Sequence, residues 1–130
     1  MPLRANKEIE DAAVGWVISI EKQAGRSARD TRYLGDAADI SSPPRLIEIK
    51  AYGGSARGQE LWLEPRQFDA ARGNPDFWLY VVENVRQGDP AEFRLIRIGG
   101  DELTALLQRA TERRYYTVPF PVAVYDRLRQ

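Results

Sequence analysis

The chain has 130 residues, 43% apolar and 29% charged, enough for one domain whose core buries roughly two thirds of the unfolded surface. It has no cysteine and no histidine, which excludes disulfides, thiolate zinc and imidazole catalysis. Chemistry is left to carboxylates, Lys, Arg, Tyr, Ser and Thr, and any metal must be a hard ion held by oxygen.

No apolar run approaches the roughly 18 residues of a membrane span, and the first residues are too charged for a signal peptide, so a cytoplasmic location and no membrane partner are expected. Nineteen basic residues balance nineteen acidic ones, which does not mark a strongly basic nucleic-acid binder. The basic residues are nearly all arginine, lysine standing only at Lys7, Lys22 and Lys50. Arginine is the better bidentate phosphate ligand, although a GC-rich coding sequence gives the same bias.

In chain order, Ile9, Ala12, Ala13, Trp16, Val17 and Ile20 recur at helical spacing and predict a helix over 9–23. Asn6 would cap it and Gly25 would stop it. A short strand is expected near 31–34. Ala38, Asp39 and Ile40 mark a strand end or turn, and the Ser41-Ser42-Pro43-Pro44 run is punctuation. A strand follows over 45–52, then a glycine-rich hairpin-type loop over 53–58 and a short strand over 60–63. Pro65 opens a helix that Gly73 ends. The apolar run over 77–85 predicts a buried central strand, paired with an alternating strand over 93–98. A helix capped by Asp101 is expected over 101–113. The tail, 115–125, has β character, but Pro119 and Pro121 confine it to an edge. The order predicts one α/β domain with a central mixed sheet flanked by helices.

The informative pattern is Asp39-Ile40, eight residues further on Glu48-Ile49-Lys50. Side chains alternate along a strand, so Glu48 and Lys50 share one face and Ile47 and Ile49 the other. An acid and a lysine on an internal strand need each other or a ligand. A neighbouring-strand position for Asp39 would bring its carboxylate close to Glu48, and two close carboxylates repel unless a cation lies between them. Mg²⁺ (or Mn²⁺) is the natural occupant, held by carboxylates, a backbone carbonyl and waters. Such an ion lowers the pKa of its water for attack on a phosphodiester, and Lys50 would stabilise charge growing on the phosphate. The other reading is a Glu48–Lys50 surface pair on an edge strand, contributing a few tenths of a kcal/mol.

Glu10 and Glu21 lie on a helix flank within about 60° of each other, and either would reach the sheet as an extra metal ligand or remain solvated. Gln67 would orient a water or phosphate, or be an exposed helix former. Arg45 and Arg32, with Arg26 and Arg29, would suit a phosphate backbone or line a solvated loop. Tyr115 and Tyr116 would stack on bases or, the better expectation, pack in the core. The glycines at 53, 54 and 58 do not precede a helix in a nucleotide-cradling pattern.

A helix carrying Glu10, then Asp39, then Glu48-Ile49-Lys50 resembles the PD-(D/E)XK nuclease superfamily. More narrowly, Ile9-Glu10-x-x-Ala13, Glu21-x-x-x-Gly25, Ala38-Asp39-Ile40 and Ile47-Glu48-Ile49-Lys50-Ala51 resemble the NO VEIN C-terminal domain family. Leu61-Trp62-Leu63, Ala70-Ala71 and Phe77-Trp78-Leu79-Tyr80-Val81-Val82 fit that family's order, and the resemblance covers about residues 8–100. It implies a restriction-endonuclease-like core, a divalent metal and phosphodiester cleavage. Asp39 and Glu48 would be metal ligands, Lys50 the catalytic lysine and Glu10 an accessory ligand. Ala38 stands where the superfamily has proline. Two classes of function follow: a Mg²⁺-dependent nuclease acting on DNA, in restriction, repair or defence, or a non-catalytic relative that binds nucleic acid or protein. The near-zero net charge favours the second, or a homodimer or partner protein that supplies the grip. An antitoxin-like interaction protein is a third, weaker reading.

Overall fold

The computed structural model describes residues 6–129. Helix α1, Asn6–Gln23, is followed by strands β1 (Arg29–Asp30), β2 (Ile40–Ser42) and β3 (Arg45–Ala51). Helix α2, Pro65–Gly73, leads to strand β4 (Phe77–Glu83), two short 3₁₀ turns and strand β5 (Arg94–Ile98). Helices α3 (Gly100–Leu107) and α4 (Val122–Leu128) complete the chain. The five strands form one open sheet in sequence order. Strands β1, β2 and β3 run antiparallel, β3 and β4 are parallel across the α2 crossover, and β5 returns antiparallel.

The two faces of β3 and β4 explain the layers. Ile47 and Ile49, with Ile40, Tyr80 and Val82, pack on Ile9, Ala13, Val14 and Val17 of α1. The opposite face carries Phe77 and Leu79, covered by Ala71 of α2 and Leu103 of α3, with Leu46, Leu61 and Leu63 against them. The molecule is therefore a mixed α/β domain with a helix layer on each side of the sheet.

Several boundaries differ from expectation, each for a physical reason. The α1 backbone is already helical at Asn6, so Asn6 is no cap. The first strand falls at Arg29–Asp30 rather than 31–34. Thr31 is buried instead and its hydroxyl donates to the Ala38 carbonyl at 2.9 Å, which pulls the chain into a turn. Residues 60–63 alternate as a strand would, but have no strand partner. β3 pairs with β2 on one side and β4 on the other, so Leu61 and Leu63 simply pack into the second core. For the same reason the glycine loop over 53–58 is part of a crossover, not a hairpin.

Helix α3 begins after Gly99, with Asp101 in its first turn rather than at its cap, and ends at Leu107. Beyond Leu107 only Ala110 would extend the apolar stripe, and it is exposed. The tail is neither an edge strand nor core. Residues 110–121 form neither helix nor strand and are exposed, and Val122–Leu128 is a helix with Pro121 as its N-cap. Tyr115 and Tyr116 are 69% and 80% exposed, which corrects the expectation that they pack inside.

Candidate functional site

Pro43 and Pro44 join β2 to β3 as a two-residue turn, and the pairing Ile40↔Ile47 fixes what lies across from Glu48. One further step along this antiparallel register is Asp39. The Asp39 backbone is held on both sides: its N–H donates to the Ile47 carbonyl at 3.0 Å and its carbonyl accepts from the Thr31 N–H at 2.8 Å. Its Oδ2 also accepts from the Ile49 N–H at 2.9 Å. Local backbone geometry thus brings the Asp39 carboxylate against Glu48, as the spacing suggested.

Glu48 is 3% exposed although it is an acid. Its Oε2 accepts from Gln67 Nε2 at 3.0 Å and lies 3.3 Å from Lys50 Nζ. Its Oε1 is buried with no hydrogen-bond donor. The Gln67 amide has one sensible orientation, because its Oε1 accepts from the Glu64 N–H at 3.0 Å at the start of α2, leaving the NH₂ group to face Glu48. Among the described residues, Lys50 supplies the positive charge set against the two carboxylates.

The electrostatics follow from this arrangement. Burial, then the Asp39 charge, pushes the Glu48 carboxyl up to about 8, against a smaller pull downward from Lys50. Asp39 is also raised, by burial first and by the Glu10 charge, while the Ile49 N–H and Lys50 oppose the rise. Protonation of one carboxyl, or a cation beside the pair, relieves the repulsion of two like charges in one site.

These residues open onto a cleft of about 1360 Å³ whose lining includes Glu10, Asp39, Glu48, Lys50 and Gln67. Glu10 borders it from α1, half-exposed and 3.3 Å from Arg32. Among the described residues no group of three or more acids is gathered closely enough to cage a metal. The donor set is two carboxylates, with any further ligands backbone carbonyl or water.

Other candidates are placed elsewhere. Glu21 faces the sheet interior, not the cleft. It is fully buried and accepts from Arg26 through both oxygens (2.7 and 3.0 Å), from Ser42 Oγ at 3.0 Å and from the Tyr80 hydroxyl at 3.2 Å. Burial pushes its carboxyl up, but Arg26, Ser42 and Tyr80 together hold it below the ordinary range. Arg45 lies on the α1 face of β3, the opposite face from Glu48. Its guanidinium stacks 4.1 Å over the Trp78 ring and donates to the Tyr80 hydroxyl. Arg32 is held by Asp30 and Asp11, each at 2.7 Å, and by Glu10. Neither arginine lines the cleft.

Two cleft residues escaped the sequence reading. Tyr52 follows Glu48 and Lys50 at the next position of the same period-two face, a signal that was there to be read. Burial raises its phenol. Trp62 is 64% exposed at the cleft wall. Its place between Leu61 and Leu63 gives it the outward side of an alternating segment.

The fold and site define a mixed α/β domain with a paired-carboxylate and lysine cluster at a cleft. Residues 9–96 match the family described as protein NO VEIN, C-terminal, and the chain belongs to that family. No curated protein and no solved structure matches it. Among the described residues no helix is long and apolar enough to cross a membrane.

Proposed function

We propose that this domain is a metal-dependent nuclease of the restriction-endonuclease-like, PD-(D/E)XK kind, hydrolysing phosphodiesters in DNA. The observation that carries the reading is the partly buried Asp39 beside the buried Glu48, with its unpartnered Oε1 and adjacent Lys50. A purely structural ion pair would match one acid to one base and leave no second carboxylate beside it. The α1, β1–β3, α2, β4 order, with Asp39 just before β2 and Glu48 in β3, is read as that superfamily's core.

The residues fit Mg²⁺ or Mn²⁺. Both carboxylates present hard oxygen, and a cation would relieve the repulsion that otherwise forces a proton onto Glu48. Asp39 and Glu48 would hold the ion, with Glu10 as an accessory contact if it leaves Arg32. When bound, the ion polarises the phosphoryl group and makes water a stronger nucleophile. Lys50 donates toward the attacked phosphate and offsets its growing charge. Gln67, fixed at its oxygen by the Glu64 N–H, holds Glu48 so that one oxygen remains for the ion.

A non-catalytic binding relative is the competing reading, favoured by the two-acid donor set and the zero net charge. A second copy or a partner protein would then supply grip on the nucleic acid. The test is nicking of supercoiled plasmid and cleavage of single-stranded DNA in Mg²⁺ or Mn²⁺, wild type against Asp39→Asn. Metal-dependent cleavage lost in the variant supports the nuclease. Cleavage equal in both, or absent from the wild type on either substrate, overturns it.

A further inference from the structure

Beyond the Glu48 end, the cleft changes character. Glu60, Trp62, Arg113, Arg114 and Tyr115 line a side notch of about 480 Å³, and all but Arg114 also line the main cleft. The notch size lies within the roughly 300–1,000 Å³ of small-ligand sites, whereas the main cleft at about 1360 Å³ exceeds it. That combination suits one unit of a longer ligand. The rings of Trp62 and Tyr115 lie 6.5 Å apart, inclined at 52°, and both are mostly exposed, so each offers a free π-face.

Charge completes the picture. Among the described residues, Arg114 has no acid within ion-pair distance, and Arg113 has only Glu60 at 3.9 Å, a long and solvated contact. Asp39, Glu48 and Glu10 line the cleft at the Glu48 end, whereas the notch holds two arginines and one acid, Glu60, beside its rings. Aromatic faces beside solvent-exposed arginines are the elements that bind single strands, with bases on rings and phosphates on guanidinia. In a duplex the base faces are covered by their neighbours, so exposed rings in a notch have no use for it.

We propose that Trp62 and Tyr115, with Arg113 and Arg114, form a stacking subsite for an unpaired base, which makes the substrate a single strand or a single-stranded portion of one. The proposal rests on the nuclease reading for its meaning, but its test does not depend on cleavage. Fluorescence anisotropy of labelled oligo-dT, oligo-U and duplex of about 20 nucleotides, in EDTA, reads binding alone. The wild type is expected to bind a single strand more tightly than duplex, and the dT and U arms decide between DNA and RNA. Trp62→Ala and Tyr115→Ala should each weaken single-strand binding about tenfold, and Trp62→Phe should restore most of it by keeping a ring. Melting curves of the variants check that they fold, as their exposure predicts.

Equal affinity of Trp62→Ala and wild type for the single strand, a preference for duplex, or no binding to any probe overturns the subsite. Single-strand binding that needs Trp62, in a protein that never cleaves, leaves the subsite standing and removes the nuclease reading.

Discussion

Replacing Glu48 with glutamine should stabilise the metal-free protein at alkaline pH. Few substitutions of a hydrogen-bonded buried residue do so. The folded carboxyl is raised from its ordinary 4.5 to about 8, so between these pH values the folded chain binds a proton that the unfolded chain has released. Stability contributed by this group is therefore complete below about pH 4.5 and is lost as pH rises toward about 8. At about 1.4 kcal/mol per pH unit, the ceiling is about 5 kcal/mol. Water entry and movement of Lys50 will reduce it, and about 2 kcal/mol is expected.

Glutamine copies the protonated form at every pH. Its oxygen takes the Gln67 hydrogen bond and its NH₂ faces Asp39, so the unpartnered Glu48 oxygen disappears. In EDTA, wild type and Glu48→Gln should melt together near about pH 5, and the variant should melt about 8 °C higher near about pH 8.5. Added Mg²⁺ should narrow that gap by stabilising only the wild type. A variant less stable than wild type at alkaline pH would refute the reasoning, because the Lys50 pair would then outweigh the Asp39 repulsion.

The other buried glutamate should behave oppositely. Glu21→Gln breaks a buried pair with Arg26 and should cost about 3 kcal/mol by urea unfolding at neutral pH. Because the Glu21 carboxyl is held low, its contribution is present above its unfolded value and fades as acid protonates it, so the variant's deficit should shrink at low pH. Lys50→Ala should lower kcat about 10²–10³-fold while Mn²⁺ binding persists, and loss of both together would mean that Lys50 is part of the ion's site. Ending the chain at Ala110 should change the melting temperature by no more than about 2 °C, since everything described beyond it is exposed apart from a partly buried Val124. A fall of more than about 5 °C would show that the contacts of Arg113 with Glu60 and of Tyr115 with Trp62 stabilise the domain despite their exposure.

Much of the sheet was legible because β3 and β4 are buried on both faces, and their runs of Ile, Val and Leu leave little choice. The meeting of Asp39 and Glu48 was legible in part. Alternation decides the face of Glu48, but the sequence reads 41–44 as a turn, whereas Ser41 and Ser42 lie in β2 and only Pro43 and Pro44 turn the chain. The tail was not legible, because prolines at 119 and 121 read as breakers. Pro121 in fact stands at the cap of α4, where a missing N–H costs nothing. Tyr115 and Tyr116 looked like core by residue type alone, and sequence cannot say whether anything lies opposite them. Arg45 and Arg32 were near the site in sequence, yet each has a stronger local partner: the Trp78 face for one and three carboxylates for the other. Glu21 shared a helix flank with Glu10, but Arg26, five residues on, claimed it.

If Asp39 and Glu48 form the proposed cation site, a proton occupies it in the metal's absence. Calorimetric titration of Mn²⁺ at about pH 7, in two buffers of different ionisation enthalpy, measures both binding and the protons released. The wild type is expected to bind with release of close to one proton, and Glu48→Gln not to bind. Heat without proton release, equal binding by the variant, or no binding by the wild type would contradict it.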